Sequence, residues 1–133
     1  MANKLNPYLT FLGDAKHAMK FYEGVFGGTL SIMTFKDMYP TTGPEQANLI
    51  MHAELTAKNG MTIMASDDPE QQAKSNTSIS LSGDDEAELK GFWSKLTDGA
   101  TIIVPFDKAP WGGTFGMLTD KFGVRWLVNA TAR

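Results

Sequence analysis

The chain contains no cysteine. That excludes disulfides, thiolate metal sites and cysteine nucleophiles, and it suits a reducing compartment. Histidine is nearly absent as well, with only His17 and His52. Basic residues are not in excess: 12 Lys and Arg stand against 15 Asp and Glu, for a net charge of −3. Nucleic-acid binding needs a clustered basic face, and no basic stripe is present. No window approaches the roughly 20 apolar residues of a membrane span, and residues 1–6 hold no apolar run of the kind a secretory signal needs. The expectation is a cytoplasmic protein with neither a membrane nor a nucleic-acid partner. No Ser-His-Asp arrangement can be assembled. The pairs Gly27–Gly28 and Gly112–Gly113 lack the spacing and the following helix of a phosphate-cradling loop.

What the sequence does contain is one pattern used twice. Residues 6–35 read as strand, helix, strand, and residues 76–106 read the same way about 70 positions later. Asn6 answers Asn76, Gly13 answers Gly83 and Asp14 answers Asp84. After one inserted residue, Ala18 answers Leu89, Phe21–Tyr22 answers Phe92–Trp93, Gly28 answers Gly99 and Phe35 answers Phe106. A repeated supersecondary unit that cannot close its own core stacks on its copy. At 133 residues the chain is one domain, or two fused modules sharing a core, and it can bury roughly two-thirds of its unfolded surface. Eight Met and eight Phe suit an adaptable apolar interior.

In the first module, residues 7–12 are a strand candidate, and Gly13 turns the chain. Asp14 stands where a helix N-cap is wanted. Ala15, Ala18, Met19, Tyr22, Val25 and Phe26 then follow the helical i, i+3, i+4, i+7 spacing, and Gly27–Gly28 closes the helix. A strand over 29–35 leads to a loop over 36–47, which contains Pro40, Gly43 and Pro44. Strands over 48–56 and 61–66 flank a turn at residues 58–60. In the strand over 48–56, Met51, Ala53 and Leu55 share one face and Ile50, His52 and Glu54 the other. Residues 67–75 are polar and read as the connection between modules.

The second module opens with a strand over 77–82. Asp84, Asp85 and Glu86 begin a helix where negative charge suits the dipole. Leu89, Phe92, Trp93 and Leu96 form that helix's buried stripe. A strand over 100–106 follows, which Pro105 assigns to an edge or bend. A lid-like loop over 107–113 and a final hairpin of strands over 114–119 and 124–130 complete the module. The fold class is therefore α+β: two tandem βαβββ modules, residues 4–66 and 76–130, forming a curved mixed sheet around a cleft with the helices outside.

This order of elements resembles the vicinal-oxygen-chelate superfamily of glyoxalases, bleomycin-resistance proteins and extradiol dioxygenases, and within it the PhnB-like branch. The resemblance rests on Pro7–Tyr8–Leu9, on residues 21–28 (Phe-Tyr-Glu-Gly-Val-Phe-Gly-Gly), on Met64–Ala65–Ser66–Asp67, on Trp111–Gly112, and on Asp120–Lys121–Phe122–Gly123 with Trp126. It covers nearly the whole chain. Lys121 departs from it, since the branch has proline there. In metal-dependent members, the first and last strands of each module supply four ligands. Counting places those positions at Pro7 or Tyr8, Met64, Thr77 or Ser78, and Leu127. None is His, Asp or Glu, so the resemblance implies the fold without the metal, and no cofactor is expected.

Several residues remain as candidates. His52 and Glu54 share a strand face and could act as base and orienter, or could ligate a metal placed differently from the family's. A structural pair is the competing reading. His17 lies off the apolar stripe of its helix and reads as a solvated surface residue. Arg125 shares a face with Leu127 and could receive a carboxylate or phosphonate. Trp111 in one long loop and Tyr39 in the other could close over a ligand, or Trp111 could anchor its own loop. Leu9, Phe11, Met64 and Leu127 would line an apolar cleft. The expected role is that of a metal-free small-molecule-binding protein, homodimeric as relatives often are. The alternative is a metal-dependent lyase or dioxygenase-like enzyme using His52 and Glu54. A third possibility is an interaction module with no ligand.

Overall fold

The computed structural model describes residues 3–68 and 76–131. The chain divides into two compact units, Met1–Lys74 and Ser75–Arg133. Most of the connection expected over residues 67–75 lies outside the described residues. Each unit holds one four-stranded mixed sheet.

In the first unit the strands are β1 (Tyr8–Phe11), β2 (Thr29–Thr34), β3 (Ile50–Thr56) and β4 (Thr62–Asp67). Their order in the sheet is β1-β4-β3-β2, with β1 parallel to β4 and the other pairs antiparallel. Helix α1 (Ala15–Phe26) buries all six residues of the expected stripe and packs on β2, β3 and β4. Ala53, Leu55, Ile63 and Ala65 are buried and alternate with half-buried neighbours along β3 and β4. The helix thus covers one sheet face, as its single apolar stripe requires. Gly28 has a positive φ of 97° and lies directly against the Thr56 backbone. A side chain there would collide with the strand, so glycine is required at that close approach.

Three local expectations are corrected. Asp14 makes no side-chain cap bond on α1. Asp67, assigned above to the polar connection, instead ends β4, is only 4% exposed and performs that task. Its Oδ1 accepts from the Gly13 and Ala15 N–H groups, each at 3.0 Å, and its Oδ2 from the Ile50 N–H at 2.9 Å. A buried carboxylate is tolerated where backbone donors satisfy it, and the only route to three donors here is through neighbours distant in sequence. The loop expected over 36–47 is also shorter, because a turn of helix, α2 (Phe35–Met38), follows β2 directly. Thr34 and Asp37 form a reciprocal capping box there, an N-terminal signal hidden in a sequence too short to show a period. The Thr34 backbone N–H, then its hydroxyl, holds the Asp37 carboxyl below its ordinary pKa. The box is therefore intact above the ordinary carboxylate range and is lost as pH falls through the lowered pKa.

In the second unit the strands are β5 (Ser78–Gly83), β6 (Thr101–Lys108), β7 (Thr114–Thr119) and β8 (Arg125–Ala130), in the order β5-β8-β7-β6. Helix α3 (Glu86–Leu96) buries Leu89, Phe92, Trp93 and Leu96, and Asp85 caps it through the Glu88 N–H. Gly116 of β7 makes room for the helix: an added Cβ would lie 2.8 Å from the Trp93 ring. As Pro105 implies, β6 is an edge strand. It is longer than the strand expected over 100–106, its register with β7 is irregular on either side of Val104, and Ile102 and Ile103 are 48% and 44% exposed. Asp120 organises the β7–β8 turn. Its Oδ1 accepts from the Phe122 and Val124 N–H groups, and its Oδ2 from the fully buried Trp126 indole at 2.8 Å.

Replacing Asp67 by alanine strands three buried or half-buried donors. The expected loss is about 3 kcal/mol, checked by urea unfolding followed by circular dichroism. Asp67→Asn keeps part of the acceptor set and costs less. All three tryptophans, Trp93, Trp111 and Trp126, lie in the second unit. Asp120→Ala is therefore expected to lower the midpoint read by tryptophan fluorescence, by a comparable amount.

Candidate functional site

Each sheet has one face covered by its helix and one without a helix. On the helix-free face of the first unit, register sets Tyr8 of β1 beside Met64 of β4, Met64 beside Glu54 of β3, and Glu54 beside Ser31 of β2. His52 stands two residues before Glu54 and beside Met33. The Tyr8 side chain crosses β4, so its hydroxyl lies 3.2 Å from His52 Nδ1, with ring centroids 5.8 Å apart. His52 Nε2 lies 3.9 Å from Glu54 Oε1, with the two side chains 38% and 45% exposed. That separation exceeds a hydrogen bond. With the imidazole proton on Nε2, Nδ1 accepts the Tyr8 O–H.

The sequence placed His52 and Glu54 together on the face opposite Ala53 and Leu55, and the structure agrees. Tyr8 escaped it as a partner, because 44 residues and an intervening strand separate it from His52. Leu9 and Phe11 do not line this face. They alternate with Tyr8 and Thr10 and stand opposite Ala65 and Asp67, so they point to the α1 side, where Phe11 is 5% exposed. Met64 stays on the helix-free face, half-buried. Tyr39 is 58% exposed just beyond α2. His17 is exposed on α1.

In the second unit, Trp126, Val128 and Ala130 are buried on the α3 side, which turns Arg125, Leu127 and Asn129 to the helix-free face. Leu127 stands between Ser80 and Met117, Arg125 between Ser78 and Thr119, and Asn129 between Ser82 and Phe115. Arg125 is exposed and Leu127 half-buried. Trp111 is 65% exposed and meets Phe115 edge-on, with centroids 5.6 Å apart.

Pairing bears on the positions that the resemblance implies for a metal. In the first unit Tyr8 stands beside Met64. In the second, Leu127 stands beside Ser80, and Ser78 beside Arg125. A strand that slides by two residues keeps every side chain on its own face, so counting from the helix could not fix which row meets Leu127. A hydroxyl, a thioether and an alkyl group are poor partners for a divalent ion that seeks imidazole or carboxylate. The residues present do not fit that metal. Among the described residues, no group of three or more His, Asp and Glu could hold an ion.

A separate hollow of about 470 Å³ lies within the second unit, bordered by Asp84, Asp85, Glu86, Lys108, Gly113 and Thr131. Asp85 is engaged in capping, and Glu86 Oε1 accepts from the Thr114 hydroxyl at 2.6 Å. This hollow includes none of the candidate residues.

A family model described as 3-demethylubiquinone-9 3-methyltransferase matches residues 3–129. The crystal structure of protein PA1353 from Pseudomonas aeruginosa is 34% identical. It covers 99% of this chain and 100% of that one, with a TM-score of 0.87. A Bacillus cereus PhnB protein, whose description carries the same methyltransferase name, is 28% identical over 97% of this chain and 100% of its own, with a TM-score of 0.77. A glyoxylase/bleomycin resistance protein/dioxygenase domain from Frankia is 13% identical, covering 100% and 99% of the two chains at a TM-score of 0.67. That last likeness is one of fold. The expected PhnB-like branch and the two-module α+β architecture of the glyoxalase/bleomycin-resistance fold are thus borne out. No described helix is long and apolar enough to cross a membrane.

The Tyr8–His52 contact makes its own prediction. Ring ¹⁵N spectra of the native chain near neutral pH are expected to give His52 mainly as the Nε2–H tautomer. Tyr8→Phe is expected to leave a mixture of the two tautomers without lowering stability by more than about 1 kcal/mol.

Proposed function

We infer, for a chain that belongs to the family described as 3-demethylubiquinone-9 3-methyltransferase and has the glyoxalase/bleomycin-resistance fold, that it binds a small molecule without a resident metal. The observation that carries this reading is the donor set. Tyr8 with Met64, and Ser80 with Leu127, occupy the paired strand positions where a metal would sit, and none offers imidazole or carboxylate. What they offer suits an organic ligand: half-buried apolar groups beside hydroxyls. Such a mixture, with a few polar groups to fix orientation, is typical of ligand sites. Arg125 supplies a fork that matches a carboxylate or phosphonate. The protein works as a cytoplasmic homodimer, in keeping with its lack of cysteine and with the exposed apolar residues Ile102 and Ile103, which a second copy would cover.

A second reading has one observation in its favour. His52 Nε2 and Glu54 Oε1, 3.9 Å apart, leave room for an ion bonded to both at about 2.1 Å. With Tyr8 orienting the imidazole, the pair would ligate a displaced metal in a lyase or dioxygenase-like enzyme. It would otherwise act as a general base.

Thermal unfolding of the chelator-stripped protein separates the two. Under the binding reading, Ni²⁺, Zn²⁺, Co²⁺, Mn²⁺ and Fe²⁺ leave the midpoint unchanged, and a panel of small aromatic and phosphonate compounds contains members that raise it. Native-state binding at a hundredfold excess over Kd adds about 2.7 kcal/mol. A metal-induced rise that disappears in His52→Ala or Glu54→Ala would overturn the metal-free reading in favour of the enzyme.

A further inference from the structure

We propose that the helix-free face of the second unit holds a flat aromatic ligand bearing an O–H or N–H donor, its ring against Trp111 and Phe115 and its donor on Asn129 Oδ1. This deepens the ligand-binding reading above and rests on it.

Two independent observations meet at one place. The first is an unmet polar atom: Asn129 Oδ1 is cut off from solvent and has no hydrogen-bond partner, alone among the buried side-chain nitrogens and oxygens of the described residues. A buried acceptor without a donor is costly in an otherwise satisfied structure, and a carbonyl oxygen asks for a donor. The second is an aromatic surface that the fold leaves open. Trp111 is 65% exposed although its indole already leans on Phe115. Phe115 is the direct cross-strand neighbour of Asn129.

The orientation of the three side chains follows from the strands. Gly116 lies against Trp93 of α3, so Phe115 and Met117 point away from the helix. Trp126 and Val128 are buried, so Asn129 points the same way. Met117 and Leu127, half-buried and paired one row along, extend the apolar floor. Trp111 sits on a loop and is exposed, so it can move to admit a ring without disturbing the core. The ring supplies area and edge-to-face or offset contact, while the donor satisfies Asn129 Oδ1. An aromatic compound without a donor would gain only the first. Specificity for the donor is the consequence, because a site built around a polar atom rejects the analogue that leaves it unpaired.

The test is an NMR titration of the full chain with 2-naphthol and with 2-methoxynaphthalene, in which O–CH3 replaces the O–H donor. The expected result is saturable shifts at the Trp111 indole and the Asn129 side chain, with 2-naphthol bound about fivefold more tightly, the worth of one neutral hydrogen bond. Trp111→Ala, at an exposed position, is expected to weaken both probes by about fivefold or more. Asn129→Leu is expected to reduce 2-naphthol to the level of the ether. Equal binding of the two probes to the native chain overturns the proposal without recourse to any variant, and so does binding indifferent to Trp111→Ala. Saturable shifts confined to the first unit would overturn this site and leave the ligand-binding reading standing. No saturable shift with either probe, or with the aromatic and phosphonate panel, would end both.

Discussion

Three backbone N–H groups, one closing β1, one opening α1 and one opening β3, end on the single carboxylate of Asp67 at the tip of β4. Helix termini and strand ends leave donors that must find partners. Here one buried side chain serves three segments distant in sequence. With Gly13 and Ala15 fixed, α1 enters at the angle that lays Ala18, Met19, Tyr22 and Val25 on the sheet. With Ile50 fixed, β3 begins in the register that turns His52 and Glu54 to the other face. The first unit's candidate site thus depends on a residue that takes no part in it.

The second unit solves the same problem elsewhere. Position 130, at the tip of β8, carries alanine, and Asp120 sits instead in the β7–β8 turn, tying two backbone N–H groups and the Trp126 indole. Asp85 caps α3 directly. The two units therefore share a topology and differ in which buried carboxylate secures it. The pairing of β5 with β8 also slides relative to counting from the helices, so equivalence in sequence and equivalence in the sheet are not the same relation.

Both helix-free faces mix half-buried apolar side chains with hydroxyls and a few ionisable groups. On the first, polar groups from β1 and β3 converge across β4. On the second, an aromatic pair stands beside an unmatched amide oxygen. Neither places imidazole and carboxylate where the fold's metal would be held. On the first face Tyr8, His52 and Glu54 bring a hydroxyl, an imidazole and a carboxylate close together.

The sequence by itself determined the order of the strands and of the two long helices, both buried helical stripes, the turns at Gly60 and Gly123, and the common face of His52 and Glu54. These follow from local rules, namely helical period, strand alternation and the freedom of glycine at positive φ. Tertiary structure alone decided that Asp67 belongs to the core rather than to a connection, that Leu9 and Phe11 face the helix, that Ser80 rather than Thr77 or Ser78 meets Leu127, and that Tyr8 reaches His52. The reason is common to all four. Each depends on which residue of one strand lies beside which residue of another. That choice is fixed by long-range pairing, and a slide of two residues leaves no trace in local periodicity.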